Sequence, residues 1–338
     1  MNTVILSTAD EDITLAAKLI NDGEVVGMPT ETVYGLGADA TNEDAVRKIF
    51  AAKNRPCDNP LIVHISKLEM ITDIASAIPD MVYTLAEKFW PGPLTMIMPK
   101  SESIPMVTSG GLDTVGIRFP SHNVALALID KCGKPLAAPS ANLSGSPSPT
   151  TAQRVFEDMN GRIPAIIDGG ECEVGVESTV ISFDADGTIR ILRPGKISYE
   201  DFLTVTDKVV IDDGVLAQLT PDAVVMSPGM KYKHYSPKAN VIIIDGTAEA
   251  FAEYVRNNSD KDTYCLLFDD SEAVDDIKYL TYGQTSVEQA HLLFERLREF
   301  DEIGAKTVYA RCPQKDGVGL AVYNRILRSA GFNVIKLS

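Results

Sequence analysis

Four cations stand out as side chains that could carry chemistry: Lys53, Arg55, Arg118 and Arg193. Arginine presents a planar fork that can hold a phosphate or a carboxylate through two hydrogen bonds, whereas lysine supplies a mobile point charge. Arg118 is the most informative of them, because it lies inside the apolar run 115–119, where a buried cation is costly unless an anion meets it. We therefore expect an anion-binding site. The alternatives are a structural ion pair for Arg118 and a plain surface charge for Arg193.

Neutral hydrogen-bonding groups in two later segments could complete such a site. These groups are Ser140, Asn142, Ser148, Ser178 and Thr179. Each of them could instead be a helix cap or a turn former, which are common roles for these residue types. His64 follows a short apolar run, so it is either a binding residue or a histidine whose hydrogen bonds are satisfied within the core.

The sequence lacks the common phosphate-binding and hydrolase motifs. The segments 133–135 and 195–197 each contain Gly-Lys, but neither has the spacing of a Walker loop. No G-x-S-x-G surrounds Ser140, and H-E-x-x-H is absent. Phosphates would then have to be bound by cations and hydroxyl groups that converge from separate loops.

The stretch 27–64 must position several of these groups. An apolar strand ends at Pro29, a turn with two threonine hydroxyls follows, and Gly35 and Gly37 allow the backbone to approach a bulky group. A helix is expected to begin at Thr41, with Asp44 as the reciprocal capping residue. It should end before Pro56, because the residue before a proline avoids the helical conformation.

Composition limits the possible functions. A chain of 338 residues exceeds the usual size of one core, so two domains are expected. The net charge of −16 argues against broad, sequence-independent nucleic-acid binding. The five cysteines show no C-x-x-C spacing, which argues against zinc and fits a reducing compartment. The N-terminus lacks signal-peptide character and no apolar run reaches membrane-spanning length, so we expect a cytoplasmic protein without membrane association.

Strand and helix patterns indicate two α/β units. The loop 139–150 is rich in Ser, Pro and Gly and could be an interdomain linker, but strand patterns resume at 163–168 and 179–183. One mixed α/β domain is therefore predicted to continue to about residue 205. From residue 240, strands alternate with helices, which predicts a small parallel sheet. One of its helices is expected to be capped by Ser286 and Gln289, and the first helix of the chain by Thr8 and Glu11.

Six fragments in the right order resemble the YrdC-like threonylcarbamoyl-AMP synthase family. They are Pro29-Thr30-Glu31-Thr32-x-Tyr34-Gly35-Leu36, Lys53-x-Arg55, 89–95 (FWPGPLT), 116–120 (GIRFP), Ser140-Ala141-Asn142 and 175–180 (GVESTV). This resemblance runs from about residue 10 to 200, and segment 227–237 is similar to the linker of the family's long form. It implies a YrdC-like domain with a twisted, mixed, open sheet and a concave cleft (1–205). A linker or lid (206–239) and a small Rossmann-like parallel α/β domain (240–338) would follow.

The resemblance also implies a reaction and a set of site residues. L-threonine, bicarbonate or CO2 and ATP would be joined into threonylcarbamoyl-AMP, with release of pyrophosphate, for the threonylcarbamoyladenosine modification of tRNA. Lys53 and Arg55 would be catalytic. Nucleotide-binding residues would be Arg55, Asn59, Thr114, Ser140, Asn142, Ser148, Arg193, His234 and Tyr235. Threonine-binding residues would be Thr32, His64, Arg118, Ala138 and Ser178, with Arg118 on the carboxylate.

Further expectations concern cofactors and partners. Mg²⁺ would accompany ATP, without a covalent or organic cofactor, and separate transferase proteins would pass the product to tRNA. The aromatic and basic segment 231–237 is expected to close over the site, with Tyr232, His234 and Tyr235 shielding the adenylate from water. The alternative functions are a nucleotide- or RNA-binding module on the same scaffold and a related carbamoyl-transfer enzyme.

Overall fold

The computed structural model describes residues 2–217 and 235–337. Strands of the first part of the chain are β1 (Val4–Leu6), β2 (Val26–Met28), β3 (Gly35–Asp39), β4 (Ile62–His64), β5 (Leu94–Pro99), β6 (Thr114–Arg118), β7 (Leu136–Ala137), β8 (Ala165–Ile167), β9 (Thr179–Phe183), β10 (Ile189–Arg193) and β11 (Val209–Ile211). Within the described ranges they form one eleven-stranded sheet in the order β1-β8-β2-β3-β7-β4-β6-β5-β9-β10-β11. Parallel and antiparallel neighbours alternate irregularly, so the predicted mixed sheet is confirmed.

Helices cover both faces of this sheet. They are α1 (Asp10–Asn21), α2 (Glu43–Lys53), α3 (Ile71–Ile74), α4 (Asp80–Phe89), α5 (Asn123–Cys132), α6 (Ala152–Met159) and α7 (Tyr199–Leu203). On one face, α1 and α5 pack together over a cluster that includes Ile20 and Leu128. On the other, α2 and α4 contribute Ile49 and Leu85 to the largest apolar cluster. Both faces of the central strands are therefore withdrawn from water, which leaves the strand ends as the places for polar groups.

The remaining described residues form the predicted parallel α/β unit. Its elements are β12 (Asn240–Asp245), α8 (Ala248–Asn258), β13 (Thr263–Leu267), β14 (Lys278–Thr281), α9 (Ser286–Glu302), β15 (Thr307–Arg311), α10 (Gly317–Ser329) and β16 (Val334–Lys336). The strand order is β14-β13-β15-β12-β16, and every pairing is parallel. The apolar side of α8 packs on one face of this sheet, while α9 and α10 pack on the other.

Strand β11 pairs with β10 in parallel and thus extends the first sheet beyond residue 205. A short 3₁₀ turn, Asp213–Val215, follows it directly and lies against β10. The predicted division of the chain into 1–205, 206–239 and 240–338 stays a prediction. Because β11 belongs to the first sheet, that sheet includes residues after 205.

Three helix starts differ from the predictions. Asn42, not Thr41, caps α2, because the Thr41 hydroxyl donates to Asp39 and leaves the cap to its neighbour. Thr285 and Glu288 form the capping box of α9, one residue before the predicted Ser286 and Gln289. Helix α1 has no side-chain cap at its first turn, although Thr8 and Glu11 fitted the capping pattern. Adjacent polar residues compete for one position, and only the backbone geometry decides between them.

The two units meet where a glycine allows very close contact. Gly175 has a φ of +82°, and a Cβ atom there would overlap the backbone of Ala290 and His291 in α9. Only glycine combines this conformation with such an approach.

In the described part of the chain, no helix is long and apolar enough to cross a membrane.

We expect Gly175→Ala to destabilise the protein strongly. The matched control is Gly187→Ala, since Gly187 has a φ of +81° but no atom within 4 Å of the added Cβ. The control should lose about 1–2 kcal/mol from the left-handed backbone alone. Gly175→Ala adds steric overlap and should lose at least about 3 kcal/mol. Urea denaturation and thermal unfolding measure both. Equal losses of stability in the two variants would show that α9 does not contact the backbone closely at Gly175.

Candidate active site

A cavity of about 590 Å³, including its open mouth, is lined by residues from distant parts of the chain. Nine predicted site residues line it: Thr32, Arg55, His64, Arg118, Ala138, Ser140, Ser178, Arg193 and Tyr235. Five others that the structure describes do not line it: Lys53, Asn59, Thr114, Asn142 and Ser148. The sequence therefore predicted much of the cavity wall, and three of these five lie directly behind it.

Strands β4 and β6 bring His64 and Arg118 together. The two strands are parallel neighbours, and His64 lies opposite Arg118 at their carboxyl ends. Side chains at the carboxyl ends of adjacent parallel strands share one edge of the sheet, where ligands commonly bind. The apolar runs before both residues are therefore the sequence features that place this pair.

Arg118 is buried beside an acid. Its Nη2 lies 2.7 Å from Oε1 of Glu31, and its Nη1 donates to the Thr32 hydroxyl at 2.9 Å. The ion pair that we considered as an alternative is thus present. However, Nε of Arg118 is buried and makes no hydrogen bond to the described residues, and Nη2 has no partner among them beyond Glu31. Buried donors are rarely left unsatisfied, so a bound anion would complete this group.

His64 is a neutral residue of the cavity wall. Its Nδ1 lies 3.2 Å from the Ile62 carbonyl oxygen. A carbonyl only accepts, so the ring donates this hydrogen bond from a protonated Nδ1. Burial, and secondly the positive charge of Arg118, lower the pKa of His64 to about 3. The two interpretations of His64 therefore do not exclude each other, because its ring is satisfied in the core and also lines the cavity.

Lys53 holds a loop rather than lining the cavity. Its buried Nζ donates to the carbonyl oxygens of Ser140 and Asn142, and lies 3.5 Å from Oδ1 of Asn142. The Ser140 hydroxyl donates to the same Oδ1 at 2.6 Å. Burial, and secondly neighbouring Arg55, lower the pKa of Lys53 well below its usual value. This arrangement fixes the loop that presents Ser140 to the cavity.

Arg193 grips the segment that carries Ser178. Its Nε donates to the Ser178 carbonyl oxygen and its Nη2 to the Ser178 hydroxyl, both at 3.1 Å. That hydroxyl also lies 2.8 Å from the hydroxyl of Thr95. Burial lowers the pKa of Arg193 to about 10, so the guanidinium stays charged at neutral pH. A surface role for Arg193 does not hold, because only 6 % of the residue is exposed.

Glu177 is a cavity residue that the sequence reasoning missed. Its Oε2 accepts from Arg325 Nε at 2.8 Å, and its Oε1 accepts from the Ser148 hydroxyl at 2.6 Å. Burial acts to raise the pKa of Glu177, but the charges of Arg325 and Arg193 and the Ser148 hydrogen bond together hold it below the usual value. Ser148 is therefore connected to the cavity through a carboxylate.

Asn59 and Thr114 do not line this wall. Both amide atoms of Asn59 are buried and make no hydrogen bond to the described residues, which is consistent with a ligand-binding role. Thr114 begins the strand that ends at Arg118. Four residues of extended chain separate them by about 13 Å, at about 3.3 Å per residue. Contact of one ligand with both therefore requires an elongated molecule.

Tyr235 enters the cavity wall from the far end of the linker. Its ring stacks on Phe294 of α9 with centroids 5.1 Å apart. The next residue, Ser236, donates its backbone N–H to the Gly145 carbonyl oxygen at 2.9 Å. The predicted contacts of Tyr232 and His234 lie outside the described residues.

The missed residues differ in how much signal they left in the sequence. Glu31 and Glu177 stand inside the fragments 29–36 and 175–180, so an acid within an otherwise neutral motif was the available signal. Arg325 left no such signal. It lies on α10, and which side of that helix meets the first unit depends on the packing of the two units.

The arrangement suits an anionic ligand. Arg55, Arg118 and Arg193 bring three guanidinium groups to the wall, and His64 contributes no charge. Such a site can bind and orient phosphates and a carboxylate and stabilise charge that develops between them. Among the described residues, no group of three or more His, Cys, Asp or Glu side chains could hold a metal ion.

Comparisons with known proteins agree with the resemblance seen in the sequence. The Sua5/YciO/YrdC family model, described as telomere recombination, matches residues 18–195. The model of the C-terminal domain of threonylcarbamoyl-AMP synthase matches residues 197–331. The threonylcarbamoyl-AMP synthase of Pyrococcus abyssi is 43 % identical over 330 residues, which cover 96 % of either chain. That of Bacillus subtilis is 43 % identical over 338 residues, covering 98 % of this chain and 96 % of the relative.

A solved structure is similar over the whole chain. The crystal structure of P. abyssi Sua5 complexed with L-threonine matches with a TM-score of 0.91 and 42 % identity. The match covers 99 % of this chain and 100 % of the other.

We expect His64 to make stability fall as the pH is lowered. Its pKa is about 3 in the folded chain, against about 6.5 for an unperturbed histidine. Between these values the unfolded state binds a proton that the folded state refuses, so stability decreases as pH falls from about 6.5 towards 3, by up to about 1.4 kcal/mol per pH unit. His64→Gln should flatten this slope in urea denaturation at pH 5 to 6.5.

The parent protein is the reference for this experiment, because it differs from the variant only at residue 64. His122, whose pKa is also lowered by burial, is present in both proteins and cancels from the comparison. An NMR titration in which the His64 ring protonates near pH 6.5 would contradict the assignment.

Proposed function

Because the chain belongs to the long-form threonylcarbamoyl-AMP synthase family, we propose that it joins L-threonine, bicarbonate or CO2 and ATP into threonylcarbamoyl-AMP, releasing pyrophosphate. The observation that carries this proposal is the buried Arg118, whose Nε lacks a hydrogen bond to the described residues and whose Nη2 is paired with Glu31, in a cavity that Arg55 and Arg193 also line. A substrate with one carboxylate and a second substrate with a phosphate chain would supply the missing anions.

The reaction mainly requires the protein to position the reactants. The threonine amine captures CO2 as a carbamate, a carbamate oxygen attacks the α-phosphate in line, and pyrophosphate leaves. The protein holds the two reactants in contact and neutralises the charge that accumulates on the phosphate oxygens. Arg55 and Arg193 are suited to this neutralisation, since both line the cavity and arginine stays charged at neutral pH.

Threonine would occupy the end of the cavity at β4 and β6. Its carboxylate would take the Nε donor of Arg118, while the Thr32 hydroxyl and the His64 ring would meet its polar groups. Ala138 and Ser178 would complete this subsite.

The nucleotide would extend from the Ser140 loop towards Arg193. Lys53 and Asn142 would act by fixing that loop, with which both are hydrogen-bonded. Asn59 and Thr114, which do not line the wall, would meet the outer phosphates of an extended triphosphate. Tyr235, and His234 outside the described residues, would cover the nucleotide from the linker.

A magnesium ion would arrive with ATP as part of the substrate. The described residues offer no cluster of carboxylates to hold it independently, so the triphosphate oxygens would be its main ligands. The ion would share the charge of the phosphates with the arginines.

The product is a mixed anhydride that water would hydrolyse, so exclusion of water is part of the proposal. Separate transferase proteins would then use the product to modify tRNA. The net charge of −16 favours this division, since direct tRNA binding would ask for a basic surface.

The direct test is pyrophosphate release by the full chain. Release should require L-threonine, bicarbonate and ATP together. ATP binding without any threonine-dependent release would instead favour the nucleotide-binding module.

We expect Arg118→Lys to lose most of the activity towards threonine. Lysine keeps the charge opposite Glu31 but lacks the fork, so kcat/KM for threonine should fall about 10- to 100-fold. ATP affinity, measured by calorimetry, serves as the control and should stay within twofold. L-threonine amide should be a poor substrate of the parent protein. A good rate with the amide would show that Arg118 does not hold the carboxylate.

A further inference from the structure

Helix α10 of the second unit presents an unusual polar side to the first. Four polar residues on neighbouring turns of this helix are all buried: Asn324, Arg325, Arg328 and Ser329. Asn324 Nδ2 donates to the Val215 carbonyl oxygen at 2.7 Å, and Arg328 Nη2 donates to that of Gly214 at 2.9 Å. Burying Asn324, Arg325 and Arg328 is costly unless they are paired, so this side of α10 is built for contact with the first unit.

Arg325 reaches furthest towards the cavity. It has no exposed surface, and its guanidinium lies between three partners. Nε donates to Glu177 Oε2 at 2.8 Å, Nη1 donates to Asn324 Oδ1 at 2.8 Å, and the group lies 5.6 Å from the centre of the Tyr235 ring. Glu177 and Tyr235 both line the cavity. A side chain of the second unit thus supports two wall residues without lining the cavity itself.

Glu177 passes this support to Ser148. The Ser148 hydroxyl, which lies behind the cavity wall, donates to Glu177 Oε1 at 2.6 Å. A carboxylate fixed by Arg325 therefore also holds Ser148, and the loop that carries it, against the back of the nucleotide subsite.

The ion pair between Arg325 and Glu177 also neutralises a negative charge beside the cavity. Glu177 is a buried carboxylate on the wall of a cavity that must accept a polyanion. Without Arg325 its negative charge would act on the phosphates at short range, in surroundings that screen charge poorly. With Arg325 the pair is neutral, so that Glu177 adds no net negative charge to the wall.

We propose that Arg325 of the second unit is a positioning residue of the nucleotide subsite, which neutralises Glu177 and orients Ser148 through it. This inference rests on the proposed function, because it takes ATP as the ligand. It gives the second unit a direct part in substrate binding that a short, single-unit relative would have to supply in another way.

Other contacts already hold the two units together, which makes a purely adhesive role for Arg325 unnecessary. Arg154 of α6 forms ion pairs with Glu295 and Glu302 of α9, and Arg298 of α9 pairs with Asp158 at 2.8 Å. These bridges join the same two units, yet none of these five residues lines the cavity.

The first test compares ATP binding by three full-length proteins: the parent, Arg325→Lys and Glu295→Gln. Lysine keeps the charge beside Glu177 but loses the fork, so the dissociation constant for ATP should rise about tenfold. Glu295→Gln breaks an interunit bridge away from the cavity and should bind ATP within twofold of the parent. If Arg325→Lys also binds within twofold, or if both variants lose affinity equally, Arg325 only joins the units and the proposal is wrong.

The second test separates charge from folding. Arg325→Met leaves an unpaired buried carboxylate, whereas the double variant Arg325→Met with Glu177→Gln removes both charges. The double variant should bind ATP better than the single one and melt at a higher temperature. If Arg325→Met does not fold, the double variant and Arg325→Lys decide the matter. A folded double variant that binds ATP no better than a folded Arg325→Met would overturn the charge argument.

Calorimetric measurement of ATP binding tests this proposal independently of the proposed function. If the parent binds ATP but releases no pyrophosphate with threonine and bicarbonate, the proposed function fails. The comparison of Arg325→Lys with Glu295→Gln then still decides the role of Arg325. In an active protein, Arg325→Lys should raise the KM for ATP and leave the KM for threonine within twofold, a split that general destabilisation would not produce.

Discussion

An arginine keeps its proton even when it is buried, so each guanidinium enclosed in this protein needs an anion within reach. This constraint organises the cavity. Glu31 lies against Arg118, and Glu177 lies between the side chains of Arg325 and Ser148. The wall is nevertheless incomplete, because Nε of Arg118 makes no hydrogen bond to any residue that the structure describes. The fold thus supplies part of the compensating charge and leaves the rest to the substrates, which links their binding to the local stability of the site.

The same constraint explains how a chain of net charge −16 can bind a polyanion. Its acids lie mainly on the surface, whereas the buried acids near the cavity are each paired with an arginine. Surface charge is screened by salt over about 10 Å, so it opposes the ligand much less than a charge in the wall would. Placing one partner of such a pair on α10 makes the second unit part of the electrostatics of the first.

The sequence allowed the first unit's architecture and most of the cavity wall to be predicted. Apolar runs around His64 and Arg118 predicted two strands, and the parallel pairing of these strands is seen only in the structure. Strand β3 was not predicted, because its glycines weaken the strand pattern. The cap of α2 lies one residue later than predicted, because Thr41 and Asn42 are both good caps. The contact of Arg325 with Glu177 could not be predicted, since it joins residues 148 positions apart through the packing of two units.

The position of β8 in the large sheet has a consequence for how the chain acquires its structure during synthesis. Strand β8 lies between β1 and β2 and pairs in parallel with both. Until Ala165–Ile167 has left the ribosome, the two N-terminal strands lack their common neighbour and expose unpaired edges. Pairings between such distant segments form slowly, because a long loop must close before any contact stabilises it. The nascent chain is therefore exposed to aggregation over about its first half, and this edge of the sheet is expected to be among the last parts to form.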